Sequence, residues 1–257
     1  MVGGSSAALA VVPLLQNDHS TLIVPEQDDR LDISQAQWET GATTMSGYLA
    51  RLKGGERLPA VIVIHENRGL NPHIEDVTRR IALEGFLALA PDALSPSGGT
   101  PDDESRAREM MRELDPTETL GRLSAAVPFL AGHPESTGKV GAVGFCWGGG
   151  YANQLAAAGT SLNASVAYYG RQLPVDEVPK ITAALCLHYA ELDERINAGI
   201  ADYEAALKAN NKTYEIYMYE GANHAFNNDT NEARYNKEAA DLAWSRTIAF
   251  FKKHLAA

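Results

Sequence analysis

The 257-residue chain has little cysteine: two residues in all, with no Cys-x-x-Cys spacing. Two cysteines cannot build a disulfide framework or a four-thiolate metal centre. A His-Glu-x-x-His motif is also missing, because the next histidine after His65 is His73. That absence excludes a zinc protease of this type. The sequence therefore predicts neither a metal nor another cofactor.

An excess of basic residues is missing too, since 22 Lys and Arg face 33 Asp and Glu, a net charge of −11. Nucleic acids and anionic membrane surfaces attract proteins through a basic footprint, so we expect neither as a partner. No apolar run approaches the roughly 20 residues that span a bilayer. The hydrophobic content of 45% with 21% charged residues is typical of a globular protein with a substantial core.

The N-terminus leaves two interpretations open. Residues 7–15, AALAVVPLL, have the length of a secretory apolar region, but no Lys or Arg precedes them. They are either an apolar tail, for example the remnant of an expression tag, or an export signal whose basic start was trimmed. We expect a cytoplasmic location in the first case and a periplasmic one in the second. We assign residues 1–30 to an N-terminal extension and 31–257 to a single domain.

From about residue 31 the chain alternates short apolar strands with helices. AVIVIH at 60–65 and FLALA at 86–90 are typical of strands buried on both faces. Further strands are predicted at 43–51, 139–145, 164–170, 183–190 and 213–219, and helices at 71–84, 102–113, 115–130, directly after residue 146, at 197–209 and up to residue 254. This alternation predicts an α/β domain whose mainly parallel, twisted sheet carries helices on both faces.

The stretch GFCWG at 144–148 follows a buried strand and precedes a helix, the context of a nucleophile elbow. A sharp strand-to-helix turn strains the backbone of the nucleophile and crowds its neighbours, so glycine flanks it. The turn also aims a helix N-terminus at the sulfur, where free N–H groups favour a thiolate and an oxyanion. The alternative is a tight turn with a small buried cysteine. The spacing favours Cys146 as a nucleophile.

Such a nucleophile needs a base, and the base needs a group that orients it. In this architecture an acid and then a histidine follow the nucleophile along the chain, each after a strand. Asp193 and His224 meet this condition: Asp193 would hold the imidazole tautomer, and His224 would take and return the proton. Taken singly, Asp193 could be a helix cap and His224 a packed loop residue. Glu66 ends a strand on the same edge, where it would tune the thiol or be solvated.

The second cysteine lies within a predicted buried strand, in ALCLHYA. A small apolar thiol in this position is typical of core packing, so Cys186 is predicted to be a packing residue. His188 on the same strand is predicted to be a core histidine with satisfied hydrogen bonds.

From about residue 31 to its C-terminus the chain resembles the dienelactone hydrolases, α/β-hydrolases with cysteine in place of serine. The resemblance rests on HENRGLNPHIEDVTRRIALEGF, APDALS, GKVGAVGFCWGGGYA, VAYYG and YEGANHAF, which occur in this order. It implies the α/β-hydrolase fold and a site made of the triad Cys146, Asp193 and His224, the carboxylate of Glu66, and an oxyanion hole from the backbone N–H groups of Asn67 and Trp147. It also implies that the resting thiol is protonated and bonded to the glutamate until substrate binds.

The chain departs from the family at the substrate. Family members that act on dienelactone hold its carboxylate with two arginines, and this chain has Pro96 and Asn228 at those positions. An unpaired carboxylate in a half-buried site is costly, so the loss of both arginines points away from the namesake substrate. Arg68 and Arg171 on nearby loops are candidate replacements, unless they are simply solvent-exposed. Tyr169 is a further candidate substrate contact.

The predicted function is cofactor-free hydrolysis of small-molecule esters or lactones by a monomer or homodimer, through a thioester on Cys146. The site is expected to be open, roofed only by residues 94–115. One alternative is a thioesterase or another acyl hydrolase on the same scaffold. The other is a non-catalytic module that keeps the thiol for redox sensing or ligand binding, although such a module would not need the pair of Asp193 and His224.

Overall fold

A computed structural model describes residues 22–54 and 56–256 and builds them around one eight-stranded sheet. The strands are β1 (Leu31–Thr40), β2 (Thr43–Leu52), β3 (Leu58–Ile64), β4 (Leu87–Pro91), β5 (Ser136–Phe145), β6 (Ala164–Tyr168), β7 (Ala184–Ala190) and β8 (Tyr214–Tyr219). The helices are α1 (Pro72–Leu83), α2 (Glu104–Glu113), α3 (Pro116–Ala131), α4 (Trp147–Leu155), α5 (Glu194–Asn197), α6 (Ile200–Ala209) and α7 (Lys237–His254). The apolar stretch 7–15 lies outside the described residues.

The strand order is β1-β2-β4-β3-β5-β6-β7-β8, and only the pairings of β1 with β2 and of β2 with β4 are antiparallel. Every pairing from β4 through β3 to β8 is parallel. The prediction of a mainly parallel sheet is therefore confirmed. Because these strands run the same way, their carboxyl ends share one edge of the sheet, where ligands bind in open α/β sheets.

Side chains alternate between the two faces of the sheet, and each face is covered by helices. On β3, Val61 and Val63 pack with the cluster that contains α1 and α7. Their neighbours Ile62 and Ile64 pack on the other face, with α3, α4 and α6. This alternation of fully buried residues is what a strand covered on both faces requires, and it explains the continuous apolar run in the sequence.

Helix starts follow the local capping signals. The Asn71 side chain accepts a hydrogen bond from the Ile74 N–H, and Pro72 occupies the first helical position, where its missing N–H costs nothing. Asp103 and Asp115 cap α2 and α3 in the same way, so α2 begins two residues later than predicted.

Two elements differ from the prediction. β1 was not predicted, because its sequence LDISQAQWET is mostly polar and only one face of this edge strand is buried. The helix predicted over 197–209 is α6, which begins at Ile200, and a short unpredicted helix, α5, precedes it. α5 follows β7 by three residues and begins directly after the predicted acid Asp193.

The described part of the predicted extension packs on the domain. The backbone N–H groups of Ile23 and Val24 donate to the carboxylate of Asp76 on α1, at 3.0 and 2.8 Å, and Val24 is buried. The boundary between residues 30 and 31 stays a prediction. Among residues 22–54 and 56–256, the helices are all too short or too polar to cross a membrane.

Candidate active site

Cys146 lies at the turn between β5 and α4, with φ of 55° and ψ of −110°. The flanking glycines allow a close approach of backbone segments: a Cβ at Gly144 would lie 2.0 Å from the Gly148 carbonyl oxygen, and one at Gly148 would lie 2.3 Å from the Ile64 carbonyl oxygen. The positive φ falls on the cysteine itself, and the glycines make room around it. The turn therefore has the strained geometry of a nucleophile elbow.

Backbone strain concentrates at this edge of the sheet. Among the described residues, four that are not glycine have a positive φ, and three of them follow the carboxyl ends of strands: Cys146, Tyr169 (39°) and Ala225 (69°), the last directly after His224. Such conformations cost about 1–3 kcal/mol each, and proteins retain them mainly at functional sites. The strain is an independent sign that this edge binds or transforms a ligand.

The predicted acid and base are hydrogen-bonded to each other. The Nδ1 of His224 lies 2.5 Å from Oδ2 of Asp193. Asp193 is buried and precedes α5, but its side chain does not cap that helix, so the carboxylate is free to orient the imidazole. With Nδ1–H donated to Asp193, Nε2 of His224 carries the free lone pair. Asp193 does occupy the N-cap position of α5, but its carboxylate bonds His224 instead of the N–H groups of that helix.

The thiol of Cys146 shares a cavity with His224. Burial, followed by the charge of Glu66, raises the pKa of this thiol to about 11, although the backbone N–H of Trp147 and the charge of Arg195 oppose the increase. The thiol is therefore neutral at pH 7. Within the described residues its Sγ is hydrogen-bonded neither to Glu66 nor to His224, which differs from the thiol–glutamate bond that the resemblance implies.

Glu66 is held by Asn228, at one of the two positions where the resemblance implies an arginine. The side-chain amide of Asn228 donates to Oε2 of Glu66 at 2.9 Å, and both residues are buried. The Oδ1 of Asn228 accepts from the backbone N–H of Thr230 at 3.1 Å, which fixes the orientation of the amide. Pro96 is exposed on a short 3₁₀ helix and lines neither cavity at Cys146.

His65, which carries no predicted role, organises the loop after β3. Its Nδ1–H donates to the carbonyl oxygen of Glu66 at 2.7 Å, and its Nε2 accepts from the Ala93 N–H at 3.2 Å. Burial lowers the pKa of His65, so the ring is neutral. The ring stacks on Trp147 at 5.2 Å, which couples the loop to the start of α4. The position of His65 directly before the predicted carboxylate Glu66 was the sequence feature that could have suggested this role.

Two cavities meet at Cys146. One, of about 320 Å³, is lined by four arginines, of which only Arg68 was predicted; the set is Arg68, Arg108, Arg195 and Arg234. Arg68 and Arg108 both pair with Glu104, at 3.2 and 2.9 Å. We call this cavity the arginine pocket. Its arginines come from separate segments, so their convergence could not be predicted from spacing.

The second cavity, of about 330 Å³, contains most of the remaining predicted residues, including Trp147, Tyr169 and Arg171. The Tyr169 ring packs 5.0 Å from the His224 ring, and its buried hydroxyl has no hydrogen-bond partner among the described residues. Asn67 lines both cavities, as do Cys146 and His224. The structure therefore brings all the predicted site residues to one edge of the sheet, and their catalytic roles stay predictions.

The loop after His224 is anchored to α1 by an ion-pair chain. Arg80 pairs with Asp229 at 2.7 Å and with Asp76, the residue that binds the backbone of Ile23 and Val24. Asp229 directly follows Asn228, so the chain ends next to the partner of Glu66. This anchoring fixes the position of the loop on the domain.

The second cysteine is fully buried, as predicted. Cys186 lies on β7 with its Sγ 3.4 Å from Nε2 of His188, and His188 also bonds Tyr219 and Thr247, at 2.8 and 3.0 Å. His188 is a core histidine with both ring nitrogens satisfied. No cluster of His, Cys, Asp or Glu in the described part of the chain could hold a metal ion.

Comparison with known proteins identifies the family. The profile of the "Dienelactone hydrolase family" matches residues 45–255. A Bradyrhizobium protein provisionally named 2-oxo-3-(5-oxofuran-2-ylidene)propanoate lactonase is 34% identical over 232 residues, which cover 84% of this chain and 92% of the relative. An Escherichia coli O157:H7 protein provisionally named carboxymethylenebutenolidase is 30% identical over 251 residues, with 91% and 92% covered.

Solved structures agree. A protein of Klebsiella pneumoniae provisionally named dienelactone hydrolase has a TM-score of 0.75 and 31% identity, covering 86% of this chain and 99% of that one. The acylaminoacyl peptidase of Pyrococcus horikoshii, at 15% identity and a TM-score of 0.69, covers 88% of this chain and 42% of its own, and supports the fold alone. The chain belongs to the dienelactone hydrolase family and is a hydrolase with the α/β-hydrolase fold.

Proposed function

We propose that this hydrolase cleaves anionic esters or lactones through a thioester on Cys146, with His224 as base and Asp193 as its orienting acid. The observation that carries the proposal is the hydrogen bond of 2.5 Å between His224 and Asp193. His224 lines both cavities together with Cys146, which lies at a strained strand-to-helix turn. A buried acid, an oriented base and an accessible thiol are the parts that covalent acyl transfer needs.

The reaction starts from a neutral thiol. Because the pKa of Cys146 is raised to about 11, the sulfur becomes a strong nucleophile only when Nε2 of His224 takes its proton. The charge of Glu66 disfavours a resting thiolate, which protects the thiol from oxidation between turnovers. Asn228, which bonds Glu66, would act as a positioning residue for that carboxylate.

The thiolate attacks the ester carbonyl carbon, and the carbonyl oxygen becomes an oxyanion. The N–H of Trp147 at the start of α4, with that of Asn67 on the facing loop, would hold this charge. The adduct collapses as the leaving oxygen takes the proton from His224. His224 then activates water, which hydrolyses the thioester and returns the proton to the thiol. A thiol suits good leaving groups such as enolates and phenolates.

The arginine pocket supports a substrate that carries a carboxylate. Of its four arginines, Arg195 and Arg234 are exposed and form no ion pair with any described residue, which leaves two guanidinium groups to bind a substrate anion beside the thiol. They would replace the two arginines lost at Pro96 and Asn228. The name of the Bradyrhizobium relative refers to a lactone with a 2-oxo carboxylate, which fits this chemistry.

Turnover of matched substrates tests the proposal. An anionic enol lactone and its neutral methyl ester are compared in the wild type, in a variant with Arg195→Gln and Arg234→Gln, and in Arg106→Gln as a control. Arg106 lies on α2 like Arg108, but it points to Glu109 and does not line the pocket. We expect the double variant to raise KM for the anionic substrate about tenfold or more, with little change for the neutral one. Equal effects on both substrates would contradict the anionic substrate class.

The thioester is tested separately by mass spectrometry after a brief pulse of substrate. An acyl group on Cys146 supports the mechanism. If the only modification of Cys146 is a sulfenic acid formed with peroxide, the thiol serves redox sensing and the proposal is wrong. A thioesterase on the same scaffold would form the same adduct but would show a higher kcat/KM for acyl thioesters than for oxygen esters.

A further inference from the structure

A large cavity adjoins the smaller cavity that contains Cys146 and His224, and it shares no lining residue with the arginine pocket. It measures about 750 Å³, within the range of about 300–1,000 Å³ typical of small-molecule sites. It shares Gly150, Gln154 and Arg171 with the smaller cavity that contains Cys146 and His224. The two cavities are therefore neighbours along one side of α4, and we call the larger one the α4 groove.

The lining of the α4 groove differs in character from that of the arginine pocket. Six of its fourteen lining residues are aliphatic and come from α3, the end of α4 and the loop after β6: Leu120, Ala157, Ala158, Leu173, Pro174 and Val175. Val175 is 52% exposed and lines the groove, so its side chain is open to a ligand there. The acidic Glu177 and Asp202 also line the groove and would repel a second substrate anion.

The junction between the cavities depends on the absence of a side chain at Gly150. A Cβ at this helical position would lie 3.8 Å from the Arg171 side chain, so alanine would fit but any longer side chain would enter the passage. Gln154 lies one turn later on the same face of α4. Arg171 is exposed, and the aliphatic part of such a side chain can cover an apolar ligand while the guanidinium stays in water.

We propose that the α4 groove holds an uncharged, apolar portion of the substrate while the scissile carbonyl lies at Cys146. Continuity with the cavity at the thiol and the aliphatic lining support this occupant. The inference rests on the proposed function and extends it: the enzyme accepts esters larger than a monocyclic lactone, with an acyl or alcohol chain that runs along α4.

Two ester series test the proposal. In one, the acyl chain grows from acetyl to dodecanoyl on p-nitrophenol; in the other, the alcohol grows while the acyl group stays acetyl. In at least one series we expect kcat/KM to rise with chain length, by up to about fourfold for each methylene that is buried. Each series is measured in the wild type and in Gly150→Leu, which fills the junction.

Gly121→Leu is the matched control, because Gly121 is also helical, has open space around it and does not line the groove. We expect Gly150→Leu to lower the long-chain to short-chain ratio of kcat/KM at least about tenfold and the control to leave it unchanged. Ala158→Trp, at the far end of the groove, should lower the ratio for the longest chains alone. It serves as the second test if Gly150→Leu does not fold, as judged by circular dichroism.

Two results would overturn the groove proposal: a flat dependence on chain length in both series, or the same dependence in Gly150→Leu and Gly121→Leu. The proposal would also be overturned if sedimentation shows a dimer and both series show no dependence on chain length, because the groove would then be a contact between two copies of the chain. These results differ from failure of the proposed function itself. In that case neither the acetyl ester nor the anionic enol lactone would be hydrolysed, or their hydrolysis would survive Cys146→Ala.

Discussion

The chain has two cysteines, Cys146 and Cys186. In the part of the chain that the structure describes, only Cys186 contacts a histidine nitrogen, although Cys146 is the proposed nucleophile. Cys186 lies 3.4 Å from a histidine nitrogen, whereas the thiol of Cys146 is hydrogen-bonded to no imidazole among the described residues. Yet Cys186 is completely buried, and burial raises its pKa far above the ordinary value. Cys146 opens on two cavities and faces a helix N-terminus.

The two histidines differ as much as the two thiols. His188 bonds a tyrosine and a threonine, and burial lowers its pKa to about 3, so it cannot hold a proton at neutral pH. His224 bonds the carboxylate of Asp193, which in the proposed mechanism would stabilise the imidazolium formed when His224 takes a proton. Distance between sulfur and nitrogen is therefore a poor guide to function. Access for a substrate and an acid behind the base are what separate the two pairs.

Substituting each cysteine in turn is the most direct test of the difference between the two thiols. Cys146→Ala should lower kcat for p-nitrophenyl acetate by at least about 10⁵-fold, because the covalent step is lost. Cys186→Ala should keep kcat/KM within about twofold and lower stability by about 1–2 kcal/mol through the small cavity it leaves. Initial rates and urea unfolding curves measure both. An active Cys146→Ala enzyme would refute the thioester mechanism.

Neutralising the acid behind His224 should have the next largest effect. Asp193→Asn leaves the size of the side chain unchanged but favours the wrong imidazole tautomer, and kcat should fall about 10³–10⁴-fold. Glu191→Gln is the control: this exposed carboxylate accepts the Gly221 N–H at 2.7 Å on the same rim but does not touch His224. Its kcat should change little. Similar losses in the two variants would point to a general disturbance of the loops.

The raised pKa of Cys146 predicts how the free enzyme reacts with iodoacetamide. Below a pKa of about 11 the thiolate fraction increases tenfold per pH unit, so alkylation should accelerate about 100-fold between pH 7 and pH 9 without a plateau. Cys186 should stay unmodified until the protein unfolds. Peptide mapping by mass spectrometry separates the two sites. A plateau below pH 8 would instead reveal a thiolate–imidazolium pair at rest.

The smallest effect is expected where the buried cluster around His188 is disturbed. Thr247→Val removes the hydroxyl that bonds both Tyr168 and His188, at 2.7 and 3.0 Å. The free energy of unfolding should fall by about 1–3 kcal/mol, because buried polar groups lose a partner, while kcat/KM stays near that of the wild type. A large loss of activity without loss of stability would mean that this cluster contributes to the site.

The cluster around His188 also makes the free energy of unfolding depend on pH. The folded-state pKa of His188 is depressed to about 3, so the unfolded chain binds a proton that the folded chain does not between about pH 6.5 and pH 3. Stability from this group is therefore complete above pH 6.5 and declines as the pH falls. Urea titrations at pH 7 and pH 5 in the wild type and in His188→Gln would isolate it, with a smaller decline expected in the variant.

The sequence was sufficient for the elements whose signals are local. Buried strands such as β3 and β4 are continuous apolar runs, and Asn71, Asp103 and Asp115 mark helix starts through their own side chains. The elbow at Cys146 could be predicted because its glycines and its thiol are adjacent in the chain. β1 was missed because an edge strand with one exposed face has a weak pattern.

The arginine pocket and the α4 groove could not be predicted in the same way. Arg108, Arg195 and Arg234 lie far apart in the chain and meet only because three segments end at the same rim. Arg195, two residues after Asp193, was the one arginine that position alone could have suggested. The contact from Asn228 to Glu66 was also hidden, since an asparagine in place of an arginine suggests a loss rather than a new hydrogen bond.

The ion-pair chain from Asp229 through Arg80 to Asp76 joins the loop beside Glu66 to the backbone of Ile23 and Val24. The segment before β1 is thus linked to the loop after His224, which lies more than 200 residues away in the chain. Engineering this enzyme by circular permutation or truncation should therefore leave residues 23 and 24 in place.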